Sequence, residues 1–143
     1  MTRVSDLLKH KGHDIWFLTP DSTVYEAIDQ MAEKSVGALL VMEGERLVGI
    51  VSERDYARKV ILKGKASQET LVCEIMSRPV ICVSPESMID EAMALMTEKR
   101  VRHLPVVVGE KVIGVISIGD VVRGVIDDKE FYIQQLTNYI THG

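Results

Sequence analysis

Gly49-Ile50-Val51-Ser52-Glu53-Arg54-Asp55 is written a second time, 65 residues on, as Gly114-Val115-Ile116-Ser117-Ile118-Gly119-Asp120. Each copy closes an apolar run, residues 47–51 or 112–116, and leads into a stretch with helical spacing. A glycine, a serine three residues on and an aspartate three beyond that therefore fall at a strand-to-helix junction. Backbone N–H groups at a helix start have no intrahelical partner there and are open to side chains or anions.

Outward from the heptad the same register holds without a gap. It aligns Pro20 with Pro85, Ser22 with Ser87, Glu26-Ala27 with Glu91-Ala92, Met31 with Met96 and Glu33-Lys34 with Glu98-Lys99. Val36 falls on Val101, Leu39 on Leu104, Gly44-Glu45 on Gly109-Glu110 and Arg58 on Arg123. So long a match marks two copies of one supersecondary unit.

Residues 4–8 form a short amphipathic turn that returns at 72–76, now offset by 68, so residues 9–14 hold about three extra positions. His10 and His13 lie there; a His-x-x-His pair can ligate a metal, but no third ligand is evident, and a solvated loop is expected. Residues 15–18 and 80–83 read as strands stopped by Thr19-Pro20 and Ser84-Pro85. Thr23-x-x-Glu26 and Ser87-x-x-Asp90 resemble capping boxes, each followed by apolar residues at i, i+3, i+4 and i+7. Residues 36–42 and 104–108 then turn at Gly44 and Gly109 into the next strand, a hairpin pattern. Ala57, Val60 and Ile61 stripe one helix before Gly64, as do Val122, Val125 and Ile126 in the second copy.

The fold class expected is α+β, two pseudo-symmetric β-α-β-β-α repeats packed sheet to sheet. A unit of about 60 residues cannot bury both faces of so small a sheet alone. The division is 1–64 for the first repeat with its helical turn, 65–71 for a polar linker, 72–128 for the second repeat and 129–143 for a C-terminal helical tail. In that tail Phe131, Ile133, Leu136 and Ile140 have near-helical spacing, suited to docking on the body or on a partner.

Composition removes several functions. At 143 residues and 46% hydrophobic the chain can build a core, while a net charge of -4 argues against a general nucleic-acid or anionic-membrane binder. Cys73 and Cys82 have no metal or redox spacing and read as reduced thiols. No apolar run approaches the roughly 20 residues of a membrane span, so a cytoplasmic protein without membrane or nucleic-acid partner is expected.

The heptads admit two readings. Ser52-x-x-Asp55 and Ser117-x-x-Asp120 can be capping boxes, with Gly49 and Gly114 easing the packing of the strands. The same geometry can hold a nucleotide: serine and helix N–H groups on a phosphate, the aspartate accepting from ribose hydroxyls, short branched residues around an adenine. Arg102-His103, just before Leu104-Pro105, adds a bidentate phosphate clamp and a pH-sensitive donor, or else a solvated strand edge.

With both heptads, the Thr-Pro and Ser-Pro starts, Glu-Ala in each first helix and Arg102-His103-Leu104-Pro105, the chain resembles the cystathionine-β-synthase (CBS) domain family from about Val4 to Asp127. It looks like a stand-alone CBS pair. The resemblance implies two clefts between repeats and an adenosine-containing ligand: AMP, ADP, ATP, NAD(H) or S-adenosylmethionine. It implies that Asp55 and Asp120 each take a ribose, with Ser52 and Ser117 near the first phosphate and Arg102 and His103 at phosphate-contacting positions. Thr19, Val83, Gly49, Gly114 and Arg54 complete the candidate nucleotide-binding set. The first repeat departs from the pattern, with Gly37-Ala38 in place of Arg102-His103 and with Arg54 in its heptad where the second has Gly119.

Two equivalent aspartates could suggest acid–base catalysis, but pseudo-symmetry gives them matching environments, whereas such chemistry needs their pKa values pushed apart. The sequence has no Walker glycine loop, nucleophile–base set or metal-ligand cluster. The expectation is a regulatory module rather than an enzyme, with no metal and no catalytic cofactor. It would act as a homodimer and pass ligand occupancy to a regulated protein; a structural module without ligand is the alternative.

Overall fold

In the computed structural model, which describes residues 2–142, each copy is built on a hairpin. β2 (Ala38–Glu43) pairs antiparallel with β3 (Arg46–Ser52), and β4 (His103–Val108) with β5 (Lys111–Ser117). The turns are Gly44-Glu45 and Gly109-Glu110, with the glycines at φ of 61° and 62°. Glycine takes that conformation without a Cβ penalty, and a primed two-residue turn matches the strand twist, so Gly-Glu sets the register twice. Both hairpins are irregular at the same step, Val41/Met42 and Val106/Val107.

The third strand differs between the copies. β1 (Phe17–Leu18) runs parallel to β2, and Leu40 N donates to Trp16 O at 3.1 Å. Pro105 holds the position of Leu40 in the second copy and has no N–H to give. The strand expected at 80–83 is accordingly reduced, among the described residues, to a Val83–Val106 bridge. Its bonds are Val83 N to Pro105 O at 3.0 Å and Val107 N to Val83 O at 2.9 Å.

α2 (Val24–Lys34) and α5 (Ile89–Lys99) follow the expected stripes, and Met31 and Met96 are buried as core filler. Thr23 caps α2, its Oγ1 accepting from Glu26 N at 3.1 Å. The box expected at Ser87-x-x-Asp90 lies one residue later. Met88 is the cap, and it has no oxygen to offer, so only the reciprocal bond from Met88 N to Glu91 Oε1 remains, at 3.1 Å. Residues 65–71 are more than a linker. Thr70 is buried, and the carbonyls of Thr70 and Ser67 accept from Val24 N and Tyr25 N at 2.8 and 2.9 Å, partnering two orphan donors of α2.

By contact the chain forms two units, Ile15–Ile81 and Met1–Asp14 with Cys82–Gly143. The short N-terminal helices are thus exchanged relative to the sequence repeats. α4 (Val72–Ile75) stays with the first hairpin, and α1 (Val4–Lys11) joins the second. In one unit Leu18, Val24, Ala27, Met31, Leu39, Val41, Val51 and Ile75 share a core. α1 runs through residues read as a loop: Lys9, His10 and Lys11 suit the negative end of a helix, and Gly12, at φ 96°, ends it. His13 Nδ1 bonds the carbonyl of Ile113 at 2.8 Å.

After the heptads the copies diverge. α3 (Glu53–Tyr56) passes into a π-helical turn, Ala57–Ile61, and stops near Gly64 at φ 67°. α6 (Ile118–His142) instead runs unbroken for 25 residues. Val121 and Gly124 pack inward; a Cβ on Gly124 would stand 2.9 Å from Leu7 Cδ2 and 3.1 Å from Ile89 Cδ1. The expected separate tail is the second half of this helix, and from Lys129 to Thr141 its side chains are exposed rather than docked on the body. Among the described residues no helix is long and apolar enough to cross a membrane.

Candidate functional site

β5 ends at Ser117 and α6 begins at the next residue, so serine and aspartate bracket a helix start. Ser117 N donates to Asp120 Oδ2 at 2.8 Å, and Asp120 N donates to Ser117 Oγ at 3.3 Å. The first copy repeats this: Ser52 N to Asp55 Oδ2 at 2.9 Å and Asp55 N to Ser52 Oγ at 3.3 Å. Both heptads are closed capping boxes.

What surrounds the two carboxylates differs. Asp120 Oδ2 also takes Lys11 Nζ at 2.6 Å, leaving Oδ1 with only Arg123 Nη1 at 4.0 Å among the described residues. Asp55 has both oxygens engaged: Oδ1 pairs with Lys59 Nζ at 3.0 Å and accepts from Ser77 Oγ at 3.3 Å. Lys59 is tied further, to the carbonyl of Ile75 at 2.9 Å. The Asp120 site thus keeps an acceptor oxygen for ligand hydroxyls, whereas the Asp55 site would have to release Lys59 first.

Arg102 and His103 lie beside the second heptad for a backbone reason. Ile118 N donates to Arg102 O at 2.8 Å, and His103 pairs with Ser117 in the β4–β5 register. The first copy makes the same links with Glu53 N to Gly37 O at 3.1 Å and Ala38 opposite Ser52, but brings no cation through them. Burial pushes the His103 imidazole below its usual pKa, Lys11 and Arg102 add to this, and Asp120 opposes them. For Asp120, burial works against the charged form, but the bonds from Lys11 and Ser117 outweigh it and hold the carboxyl below the usual range. The outcome is an ionised Asp120 beside Lys11, Arg102 and a neutral imidazole.

The remaining candidates are less engaged with these carboxylates. Thr19 Oγ1 is bonded to Asp21 Oδ1 at 2.5 Å in its own turn. Val83 is buried in its bridge to Val106, and Arg54 is half-buried on α3. The open faces of the glycines are filled by apolar side chains: a Cβ on Gly49 would meet Met76 Sδ at 2.5 Å, and one on Gly114 would meet Leu8 Cδ2 at 2.7 Å. That contact is the one expected of glycines that ease packing. Lys11 is the residue the sequence did not single out, because it has no partner in the repeat register. Helical spacing offered a signal, since Lys11 lies three residues after Leu8, which packs on the heptad's own glycine.

A model of the CBS domain family matches residues 4–62 and 72–127. The CBS domain-containing protein CBSX3, mitochondrial, of Arabidopsis thaliana is 43% identical over 152 aligned residues, covering 99% of this chain and 73% of that protein. A solved protein with CBS domains from Burkholderia ambifaria MC40-6 is 53% identical and superposes with a TM-score of 0.85 over 89% of this chain and 96% of that one. The CBS domain pair of protein MJ0100, solved with 5′-methylthioadenosine and S-adenosyl-L-methionine, is 24% identical. Its TM-score is 0.79 over 90% of this chain and 98% of that one, a likeness of fold alone.

Proposed function

The chain belongs to the CBS domain family, and on that premise we propose that it is a regulatory module that binds an adenosine-containing ligand at the Ser-x-x-Asp heptads. The observation that carries this reading is the Asp120 site. A carboxylate held ionised, with one oxygen held only by a 4.0 Å ion pair to Arg123, suits the paired hydroxyls of a ribose. Lys11, Arg102 and the donors at the start of α6 suit a phosphate. This cationic surrounding favours AMP, ADP, ATP or NAD(H) over S-adenosylmethionine, whose sulfonium is itself positive. The MJ0100 pair, alike in fold, holds adenosine-containing ligands.

Asp120 is the stronger site and Asp55 the weaker, because Lys59 and Ser77 already occupy the second oxygen of Asp55. The module is read as a sensor of cellular energy or redox state and not as an enzyme; its relatives bear the names of CBS-domain proteins. It would act as a cytoplasmic homodimer and transmit occupancy to a regulated protein. One observation favours a structural module without ligand: both heptads are closed as helix caps.

Asp120→Asn separates the two. It weakens acceptance from ribose hydroxyls and should lower nucleotide affinity roughly ten- to a hundredfold, the range expected for a charge-assisted bond. Asp55→Asn should leave the stronger site intact. As caps, both substitutions should lower the melting temperature slightly. Lost stability with unchanged nucleotide affinity in both variants would establish the structural reading.

A further inference from the structure

From Val122 to Ile140, α6 presents an apolar stripe that the described residues leave exposed. Val122, Ile126, Lys129, Ile133, Leu136 and Ile140 follow at intervals of four, three, four, three and four residues, the a/d spacing of a heptad repeat. The five apolar members are 41%, 49%, 61%, 47% and 80% exposed. The body-facing residues, Val121 and Gly124, lie on a different face. The polar side is also organised, with Gln134 Nε2 donating to Asn138 Oδ1 at 3.0 Å.

We propose that this stripe is the seam of a two-stranded helical pair formed with α6 of a second copy. Isoleucine recurs at every a position, 126, 133 and 140, and valine or leucine at d positions 122 and 136; Ile at a with Leu at d favours two strands. Lys129, at the d position between Val122 and Leu136, is the one polar residue in the seam, and enclosing its charge there costs the pair stability. The length suits the role, since residues 122–140 span about 27 Å of helix. Residues 129–141 are exposed throughout among the described residues, and a helical stretch that short is marginal in water without packing. The apolar stripe exposes roughly 500 Å² per copy and flanking Tyr132 and Tyr139 add about 300 Å², so a symmetric pair that buries most of it reaches the ~1,200 Å² of a specific interface.

This inference rests on the homodimer reading above and not on nucleotide binding. Sedimentation equilibrium of the full chain at micromolar concentration should give twice the 16.0 kDa of one chain. The double variant Ile133→Asp, Leu136→Asp should sediment as one chain, while Asn138→Asp on the polar side should stay paired. Lys129→Leu should tighten the pair by about tenfold or more, a gain that misfolding cannot imitate. A wild-type monomer would overturn both the seam and the homodimer reading. A dimer whose dissociation constant is unmoved in the double variant or in Lys129→Leu would overturn the seam alone. Nucleotide affinity, measured separately, bears on neither.

Discussion

Asp120 and Asp55 occupy equivalent places in sequence and make the same bonds to their serines, yet they are different groups chemically. The difference comes from outside the repeat: Lys11 reaches one, while Lys59 and Ser77 saturate the other. His103 gives this asymmetry a pH dependence. It stays neutral in the folded protein, so the unfolded chain binds the proton first, and stability declines as pH falls from the ordinary imidazole value near 6.5 toward the lower folded one. Asp120 acts with the same sign in a more acidic range: its stabilisation is present above the ordinary carboxylate pKa and is lost as pH falls through its depressed folded value. A phosphate beside His103 favours the imidazolium, so nucleotide affinity should rise several-fold between pH 8 and pH 6. His103→Gln should flatten that rise, by calorimetric titration at both pH values. An identical slope in the variant would place the phosphate elsewhere. Ser52, Asp55, Ser117 and Asp120 stand out in the sequence because register and residue type coincide in them, and Arg102-His103 because the first copy has Gly37-Ala38 in their place. Lys11 was not, since its role depends on where a helix ends, and a lysine-rich stretch before a glycine reads equally well as loop.

Among the elements, the hairpins were the most legible, because a Gly-Glu turn between apolar runs leaves one register. The third strand was the least: Pro105 stands inside a motif, and its missing N–H matters only once a parallel partner is known. The cap of α5 was misplaced by one residue because Ser87 resembles a cap better than Met88 does. The two heptad glycines test the packing that binds each short helix to its hairpin. Leu8, against Gly114, is 1% exposed and has nowhere to move, so Gly114→Ala should cost about 1–3 kcal/mol. Met76, against Gly49, is half-buried and flexible, so Gly49→Ala should cost less, under about 1 kcal/mol. Urea unfolding of both variants checks the order; equal losses would mean that the backbone, and not these contacts, sets the tolerance.

For the molecule as a whole, an ungapped 65-residue register reveals the tandem but not its spatial grouping. The exchange of α1 and α4 leaves no mark in the repeat itself, because both helices present the same apolar pattern to equivalent glycines. That exchange brings Lys11 to Asp120 and makes the two copies chemically unlike. Adenosine-ligand binding is the claim on which the functional account stands. Its most direct test is calorimetric titration of the 143-residue chain with AMP, ATP, NADH and S-adenosylmethionine. A saturable heat with a phosphate-bearing ligand at or below roughly millimolar concentration, and weaker binding of S-adenosylmethionine, is the expected result. No heat with any of the four over that range would contradict the account and leave the heptads as helix caps.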